Sequence, residues 1–227
     1  MVPLKKKLII AIDGPGGTGK SSVGKLVAQR LHYLHIESGM FYRAVALKAR
    51  RGGIRFTDEA ALEKLSASLR LQFQQNGDGN LRVLMDDEDI TMALREEESG
   101  RGASEVAKIG GVRSALLKVF RQMGEQGGLV MDGRDVGTVI FPNADLKIYL
   151  DASVEERSKR RVEQLRRLGK TGEMSAILHD LRKRDDEDAT REISPLKRAD
   201  DAIYIDTTTL SIEEVVLRIT KEISKKL

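Results

Sequence analysis

The chain has 227 residues, the length of one large domain or of one domain that carries an insertion. Because it contains no Cys and no Trp and only 4% aromatic residues, disulfide scaffolds and thiolate metal sites are excluded, and we expect an aliphatic core. The 39 basic and 35 acidic residues nearly balance, at a formal net charge of +4, which argues against a chromatin-type polycation. The apolar run at residues 8–12 is too short for a secretory signal or a membrane span, so we expect a soluble cytoplasmic protein.

A strand and a helix joined by glycines open the chain. Residues 8–12 form a short, continuous apolar run, which is typical of a strand buried on both faces of a parallel sheet. From Lys20 onward the apolar residues recur at helical spacing instead. These residues are Val23, Leu26, Val27 and Leu31. The pattern therefore predicts a buried strand, a glycine-rich turn and a helix in immediate succession.

The same alternation of strand and helix recurs later in the chain. A second strand is predicted at residues 34–36, and further strand-like runs lie at residues 129–131, 146–150 and 202–205. Helices are predicted after the last two runs, where Ser153 with Glu156 and Ser211 with Glu214 have the spacing of capping boxes. Strands that alternate with helices predict an α/β fold, a three-layer arrangement in which helices cover both faces of a central parallel sheet.

Two stretches interrupt this alternation. Between residues 69 and 90 the apolar residues alternate with polar ones on either side of a turn at residues 76–80, which predicts a small inserted antiparallel hairpin. Residues 155–191, called the lid region below, contain 11 basic and 9 acidic side chains among 37 residues. A segment so charged cannot be core, and we predict a solvated helical hairpin. The chain is thus predicted to be a single domain, residues 1–227, with two excursions.

The glycines after the first strand match a phosphate-binding motif. Residues 14–21, called the P-loop below, fit G-x-x-x-x-G-K-S/T at every fixed position and lie between a predicted strand and a predicted helix. Glycines let backbone N–H groups converge on phosphate oxygens, and the helix N-terminus adds its dipole. We expect Lys20 to reach the β- and γ-phosphates and the Ser21 hydroxyl to ligate magnesium. The predicted ATP-binding residues are Gly14, Pro15, Gly16, Gly17, Thr18, Gly19, Lys20, Ser21 and Ser22.

The rest of the chain narrows the class of nucleotide-binding protein. No N-K-x-D guanine motif occurs, which argues against a GTPase, and motor or AAA-type ATPases generally need a longer chain. The remaining class is mainly the small P-loop kinases, which transfer the γ-phosphoryl group to a second small molecule. A phosphoryl acceptor needs fixed cations and a cover that excludes water.

Three polar clusters fit this requirement. Ser38 and Arg43 follow a predicted strand and are candidates for an acceptor phosphate. Residues 132–135 read Asp-Gly-Arg-Asp at the carboxyl end of a buried strand, where ligands of open α/β sheets bind, and Asp132 is placed for magnesium. Arginines in residues 182–191 would neutralise charge on the transferred group. Each cluster also has a purely structural interpretation, as a strand-end turn, a charged loop or a solvated helix.

Together these motifs closely resemble the cytidylate kinases of bacteria, in order and over essentially the whole chain. The matching segments are residues 10–21, 37–43, 132–142, 151–157, 184–191 and 206–215. The D-G-R-D-x-G-T segment is the most specific, because adenylate kinases differ there. Bacterial members also carry a hairpin in the nucleoside-monophosphate-binding region, which would here be residues 38–105.

The resemblance implies a transferase of pyrimidine metabolism that moves the γ-phosphoryl group of ATP to CMP or dCMP with magnesium. It implies catalytic roles for Lys20, Arg134, Arg184 and Arg191. Magnesium would be held by Ser21 and, through water, by Asp132. The implied CMP-binding residues are Ser38, Gly39, Tyr42, Arg43, Ser104, Arg113, Gly133, Arg134, Asp135, Arg184, Asp188 and Arg191. We predict a monomer that binds neither nucleic acid nor membranes.

The chemistry of cytosine is consistent with three of these residues. The Asp135 carboxylate accepts from the 4-amino group, while Ser104 and Arg113 donate to the ring acceptors O2 and N3. Uracil presents a carbonyl to that carboxylate, so UMP is predicted to be a poor substrate. Arg113 also lies in a helical pattern, and its alternative is a solvated surface arginine.

Two other functions stay open at this point. A kinase for another small acceptor, such as a different nucleotide or shikimate, would keep the P-loop and change the acceptor residues. A nucleotide-regulated nucleic-acid-binding module would use the lid region, but the balanced charges and the lack of aromatic residues there argue against it.

Overall fold

The computed structural model describes residues 7–75, 81–167 and 169–227. The strands are β1 (Ile9–Asp13), β2 (Leu34–Glu37), β3 (Leu71–Gln75), β4 (Leu81–Met85), β5 (Glu88–Asp89), β6 (Leu129–Gly133), β7 (Leu146–Asp151) and β8 (Ile203–Asp206). The α-helices are α1 (Lys20–Leu31), α2 (Ser38–Arg51), α3 (Glu59–Ala67), α4 (Glu97–Val106), α5 (Gly110–Gly124), α6 (Val154–Arg167), α7 (Met174–Thr190) and α8 (Ile212–Ser224). A 3₁₀ turn covers Ala93–Arg95 and a π-helical turn covers Val136–Ile140.

The chain forms two compact units. The sheet unit comprises the residues up to Ile36 and those from Gly124 onward, and the inserted unit comprises Glu37–Met123. A five-stranded sheet in the order β2-β6-β1-β7-β8 organises the sheet unit, and β1 pairs in parallel with β6 and β7, as β7 does with β8. The carboxyl ends of parallel strands meet at one edge of a sheet, the edge at which ligands of such folds bind. The predicted α/β fold with a central parallel sheet is confirmed.

The core of the sheet unit is aliphatic, as the composition predicts. Ile10 and Ile12 of β1 are fully buried and belong to one apolar cluster with Val27 of α1 and with Val216 and Ile219 of α8. A strand covered by helices on both faces needs apolar side chains on both faces, which explains why β1 is apolar without alternation. The continuous run at residues 8–12 was therefore the correct indication of a central strand.

Two helices, α8 and α6, begin next to the serine residues for which the sequence predicts capping boxes. At α8 the Ser211 hydroxyl accepts from the Glu214 amide, and the Glu214 carboxylate accepts from the Ser211 amide, so the predicted capping box is confirmed. At α6 the Ser153 hydroxyl caps the Glu156 amide, but the Ser153 amide donates to Thr208 instead. The second predicted box is therefore only half formed.

The inserted unit contains the predicted hairpin. β3 and β4 pair antiparallel, and the predicted turn at residues 76–80 lies outside the described residues. A short third strand, β5, was not predicted from sequence; it pairs with β4 across a two-residue turn at Asp86 and Asp87, whose φ angles are 52° and 66°. Such turns are usually marked by Asn or Gly, so Asp-Asp gave little indication of one.

Aromatic side chains pack together in the inserted unit. Phe41 of α2 packs edge-on against Phe120 of α5, with ring centroids 4.8 Å apart. Phe41 also packs in a tilted arrangement against Phe73 of β3.

The lid region is a pair of helices, as predicted. α6 and α7 are joined by ion pairs from Arg157 to Asp185, at 2.6 Å, and from Arg182 to Glu155, at 3.1 Å. No residue of α7 is buried, in agreement with the predicted solvated hairpin. Within the described parts of the chain, no helix is both long enough and apolar enough to cross a membrane.

Candidate active site

Glycine is required by the geometry of the P-loop. Gly14 has a φ of +146°, and a Cβ there would lie 1.9 Å from the carbonyl oxygen of Leu150 in β7. Gly19 has a φ of +92° and precedes α1, which begins at Lys20. Positive φ values favour glycine, and a Cβ this close to a backbone oxygen is not possible. The loop therefore passes directly over the sheet and ends at a helix N-terminus, an arrangement suited to anions.

Lys20 is the buried cation of this loop. Its Nζ donates to the carbonyl oxygen of Pro15 at 2.6 Å, and the hydroxyl of Thr18 donates to the same oxygen at 3.1 Å. Burial, and next the positive charge of Arg134, lower the pKa of Lys20 to about 7. Burial thus disfavours the charged form of Lys20, and a bound anion would favour it.

Ser21, Asp132 and His35 form a connected group beside Lys20. The Ser21 hydroxyl donates to Oδ1 of Asp132 at 3.2 Å, and Nε2 of His35 lies 2.8 Å from Oδ2. A hydroxyl and a carboxylate are the oxygen ligands that magnesium prefers, so this pair fits the predicted ion. Among the described residues no group of three or more His, Cys, Asp or Glu could hold a metal ion, and further ligands would come from phosphate and water.

An alternating network of charges joins the end of β6 to the end of α7. Arg134 donates to Asp188 at 2.7 Å, and Asp188 also pairs with Arg191 at 3.5 Å. Nη2 of Arg191 lies 3.9 Å from Oδ1 of Asp135. Burial opposes ionisation of Asp188, but the positive charges of Arg134, Arg184 and Arg191 outweigh it and lower the pKa of its carboxyl. The network thus holds the side chains of Arg134 and Arg191 on the carboxylates of Asp188 and Asp135.

Two side chains that sequence reasoning missed donate hydrogen bonds to backbone carbonyl oxygens of the P-loop. Arg157 of α6 donates to the carbonyl oxygens of Gly16 and Ala152, both at 3.0 Å. The hydroxyl of Thr207, which follows β8, donates to the carbonyl oxygen of Thr18 at 3.1 Å. Both residues lie in segments that resemble the kinase family, at residues 151–157 and 206–215, and this was their one indication in the sequence.

Asp13 is a third residue that sequence reasoning missed. Its carboxylate accepts the backbone N–H groups of Val136 at 2.8 Å and Gly137 at 2.7 Å. Burial outweighs these two bonds and raises the pKa of Asp13 to about 6. The carboxylate thereby fixes the segment that follows Asp135 against the end of β1.

Among the predicted acceptor residues of the inserted unit, the arginines are held by neighbouring groups of the same unit. The guanidinium of Arg113 lies 5.4 Å from the centre of the Tyr42 ring and donates to the carbonyl oxygen of Ala107 at 3.2 Å. Arg43 donates to the carbonyl oxygen of Leu94 at 2.6 Å. Arg113 is buried, so the alternative of a solvated surface arginine is wrong. The structure brings Tyr42 and Arg113 into contact.

Comparison with known proteins agrees with this geometry. Residues 10–225 match a model of the cytidylate kinase family. The chain is 44% identical to a cytidylate kinase from Bacillus licheniformis, covering 98% of this chain and 99% of that protein, and 46% identical to one from Pseudomonas syringae pv. tomato, covering 96% of each.

The chain belongs to the cytidylate kinase family. The predicted kinase class and the resemblance on which it rested are confirmed. A crystal structure of an uncharacterised protein from Eubacterium ventriosum aligns with a TM-score of 0.53 at 13% identity, covering 96% of this chain and 99% of that one. That likeness concerns the fold alone.

Four further predicted site residues lie at the ends of strands or helices, and one lies within a helix. Ser22 is in the first turn of α1, Ser38 and Gly39 are in the first turn of α2, and Gly133 ends β6. Ser104 lies in α4, where its hydroxyl donates to the carbonyl oxygen of Gly100 at 3.4 Å. Their individual roles stay predictions.

Proposed function

We propose that this chain transfers the γ-phosphoryl group of ATP to CMP or dCMP, giving ADP and CDP or dCDP. Membership of the cytidylate kinase family over nearly the whole chain supports the reaction. The observation that carries the proposal is the buried ammonium of Lys20 in a glycine-shaped loop, on which the charges of Arg134 and Arg184 also act. Converging cations of this kind suit a polyphosphate whose charge shifts during transfer.

The donor is proposed to bind at the P-loop. Residues 14–22 hold the phosphates through backbone N–H groups at the start of α1, and Lys20 contacts the β- and γ-phosphates. Ser21 would ligate magnesium directly and Asp132 through water; the hydrogen bond of 3.2 Å between these two residues supports the pairing. When bound, the ion neutralises charge on the phosphate oxygens.

The acceptor is proposed to bind the residues that the resemblance to the family implies. Ser38, Gly39, Tyr42 and Arg43 would bind the nucleotide near its phosphate. The cytosine ring would receive hydrogen bonds from Ser104 and Arg113 and donate its 4-amino hydrogens to Asp135. Support for Arg113 comes from its burial and from its contacts with the Tyr42 ring and the Ala107 carbonyl oxygen.

Catalysis is proposed to consist of positioning and charge neutralisation. Phosphoryl transfer through a loose transition state requires little proton transfer by protein side chains, so no dedicated general base is assigned. Arg134, Arg184 and Arg191 would neutralise the transferred group, and Asp188 orients two of them through ion pairs of 2.7 Å and 3.5 Å. We infer a monomeric cytoplasmic enzyme that uses neither nucleic acid nor membrane partners. The nearly balanced charge of the chain argues against non-specific binding to nucleic acid or membranes.

A coupled assay of ADP release tests the reaction. The assay contains ATP, magnesium and each nucleoside monophosphate in turn, including dCMP and UMP, with shikimate and a no-acceptor control. We expect rapid turnover with CMP and dCMP and little with the others. ADP release that is indifferent to the acceptor would contradict the cytosine assignment, and rapid turnover with a different acceptor would replace it.

The lowered pKa of Lys20 predicts that ATP binding takes up a proton. With a pKa of about 7 the side chain is mostly neutral at alkaline pH, and the phosphates favour its protonated form, so binding must raise its pKa. Affinity should therefore fall as pH rises above about 7.

Calorimetric titration with the β,γ-imido analogue of ATP measures this uptake. Two buffers of different ionisation enthalpy are compared at about pH 8, where we expect uptake of a large fraction of one proton. The Lys20→Arg variant is the control, because arginine stays charged and should bind without uptake. Equal uptake in both proteins would assign the proton to another group.

A further inference from the structure

We propose that His35 is a positioning residue for phosphoryl transfer, holding the carboxylate of Asp132 so that Oδ1 faces the Ser21 hydroxyl. This inference rests on the proposed function, which assigns magnesium to Ser21 and Asp132. His35 lies in β2, outside every motif that the sequence analysis singled out.

The contact itself is direct and sheltered. Nε2 of His35 lies 2.8 Å from Oδ2 of Asp132, and the two side chains are 15% and 6% exposed. An ionised carboxylate only accepts hydrogen bonds, so Nε2 carries the hydrogen and donates it. Ser21 approaches the other oxygen, Oδ1, at 3.2 Å. Each oxygen of Asp132 thus has its own side-chain donor.

Asp132 needs such a partner because its own torsion does not fix the carboxylate. The terminal torsion of an aspartate joins an sp³ to an sp² atom, and its energy wells are broad. Rotation about it would exchange or tilt the two oxygens and change the direction in which Oδ1 points. Among the described residues, the side chains that hydrogen-bond this carboxylate are those of Ser21 and His35. Since Ser21 is proposed to turn its hydroxyl oxygen to magnesium, His35 is left to hold the orientation.

Gly24 of α1 provides the space for this ring. A Cβ at residue 24 would lie 2.7 Å from Nε2 and 2.9 Å from Cδ2 of His35. A helix with glycine in its interior is less stable than one with alanine, so helix formation does not explain the glycine at residue 24. The missing side chain at residue 24 instead allows the imidazole to reach Asp132. Two residues on different elements therefore serve the same contact.

The test measures how much magnesium strengthens binding of the β,γ-imido analogue of ATP. Its Kd is determined calorimetrically with saturating magnesium and with EDTA, and the ratio of the two values is the magnesium enhancement. For His35→Leu we expect this enhancement to fall about tenfold, as for other partners that orient a metal-linked group, with the Kd in EDTA unchanged. His35→Gln places an amide N–H near the position of Nε2 and should keep most of the enhancement. His179→Leu, the same change at an exposed position of α7, is the matched control.

Gly24→Ala gives an independent test that leaves the histidine in place. Its methyl group should displace the ring and lower the enhancement as His35→Leu does, and it should have no further effect in the His35→Leu background. Additive effects of the two changes would overturn the shared role, and so would an undiminished enhancement in His35→Leu. An equal loss of affinity in EDTA would show a merely structural role and would overturn it too.

Asp132→Asn separates this inference from the proposed function. If Asp132→Asn loses the enhancement while His35→Leu retains it, the metal site stands and the role of His35 is wrong. If the unmodified protein shows no enhancement, the metal site itself is wrong, and the role of His35 fails with it.

Discussion

Replacing Lys20 by alanine is expected to lower kcat for CMP by about 10²- to 10³-fold, as for other buried donors aimed at developing charge. The side chain is buried and its Nζ is fixed on the Pro15 carbonyl oxygen at 2.6 Å, so alanine removes a cation whose position is already set. The protein should nevertheless stay folded. Burial lowers the pKa of Lys20 to about 7, because the charged form is disfavoured in the interior, so loss of this charge should not unfold the chain.

Two measurements check this prediction. Steady-state kinetics with saturating ATP and CMP gives kcat, and thermal unfolding followed by circular dichroism should give a midpoint equal to or above that of the unmodified protein. Lys221→Ala, the same change on the exposed side of α8, should leave both quantities unchanged. Turnover close to normal in Lys20→Ala would remove the P-loop lysine from the mechanism.

Replacing Asp135 by alanine is expected to narrow the preference for CMP over UMP by at least about 10²-fold. Sites built to hydrogen-bond a substrate group discriminate strongly against analogues that lack it, because a buried polar group is left unpaired. Asp135 is buried, and its carboxylate would accept from the 4-amino group of cytosine but face the carbonyl of uracil. The loss should therefore fall mainly on kcat/KM for CMP.

A second variant distinguishes base recognition from a general disturbance. Oδ1 of Asp135 also lies 3.9 Å from Arg191, so alanine weakens a contact of a proposed catalytic arginine. Asp135→Asn keeps the size of the side chain and offers both a carbonyl and an amide, so it should raise kcat/KM for UMP above its value in the unmodified protein. Asp200→Ala, at an exposed position, controls for the loss of a negative charge. A preference for CMP that survives both changes at Asp135 would place the cytosine contact elsewhere.

Local patterns predicted the parts of the fold that local forces determine. The continuous apolar run of β1, the glycine-rich turn after it and the Ser211 capping box are each complete within a few neighbouring residues. The P-loop was predictable for the same reason, because its chemistry requires particular residues at fixed spacing. Burial of Arg113 was not, because it depends on how α5 packs, and the helical periodicity of its neighbours favoured a solvated position.

The supports of the site are formed by contacts between distant parts of the chain. Asp13 binds the amides of Val136 and Gly137, and Thr207 binds the carbonyl oxygen of Thr18, with separations of 123, 124 and 189 residues. No spacing rule relates residues so far apart. His35 is similar, since its contact with Asp132 needs both the pairing order of the sheet and the missing side chain at Gly24. In the sequence alone, Asp13, Thr207 and His35 are not distinguished from other polar residues.

Arg157 also has a mechanical consequence for the sheet unit. One planar guanidinium donates to the Gly16 and Ala152 carbonyl oxygens and at the same time binds the Asp185 carboxylate of α7 at 2.6 Å. Its nitrogens form a rigid fork, so they cannot move independently. If α7 shifts away from α6, the guanidinium must either release Asp185 or rotate and strain its bond to Gly16. A displacement of α7 would therefore change the position of the P-loop backbone at Gly16, because the Arg157 guanidinium contacts both.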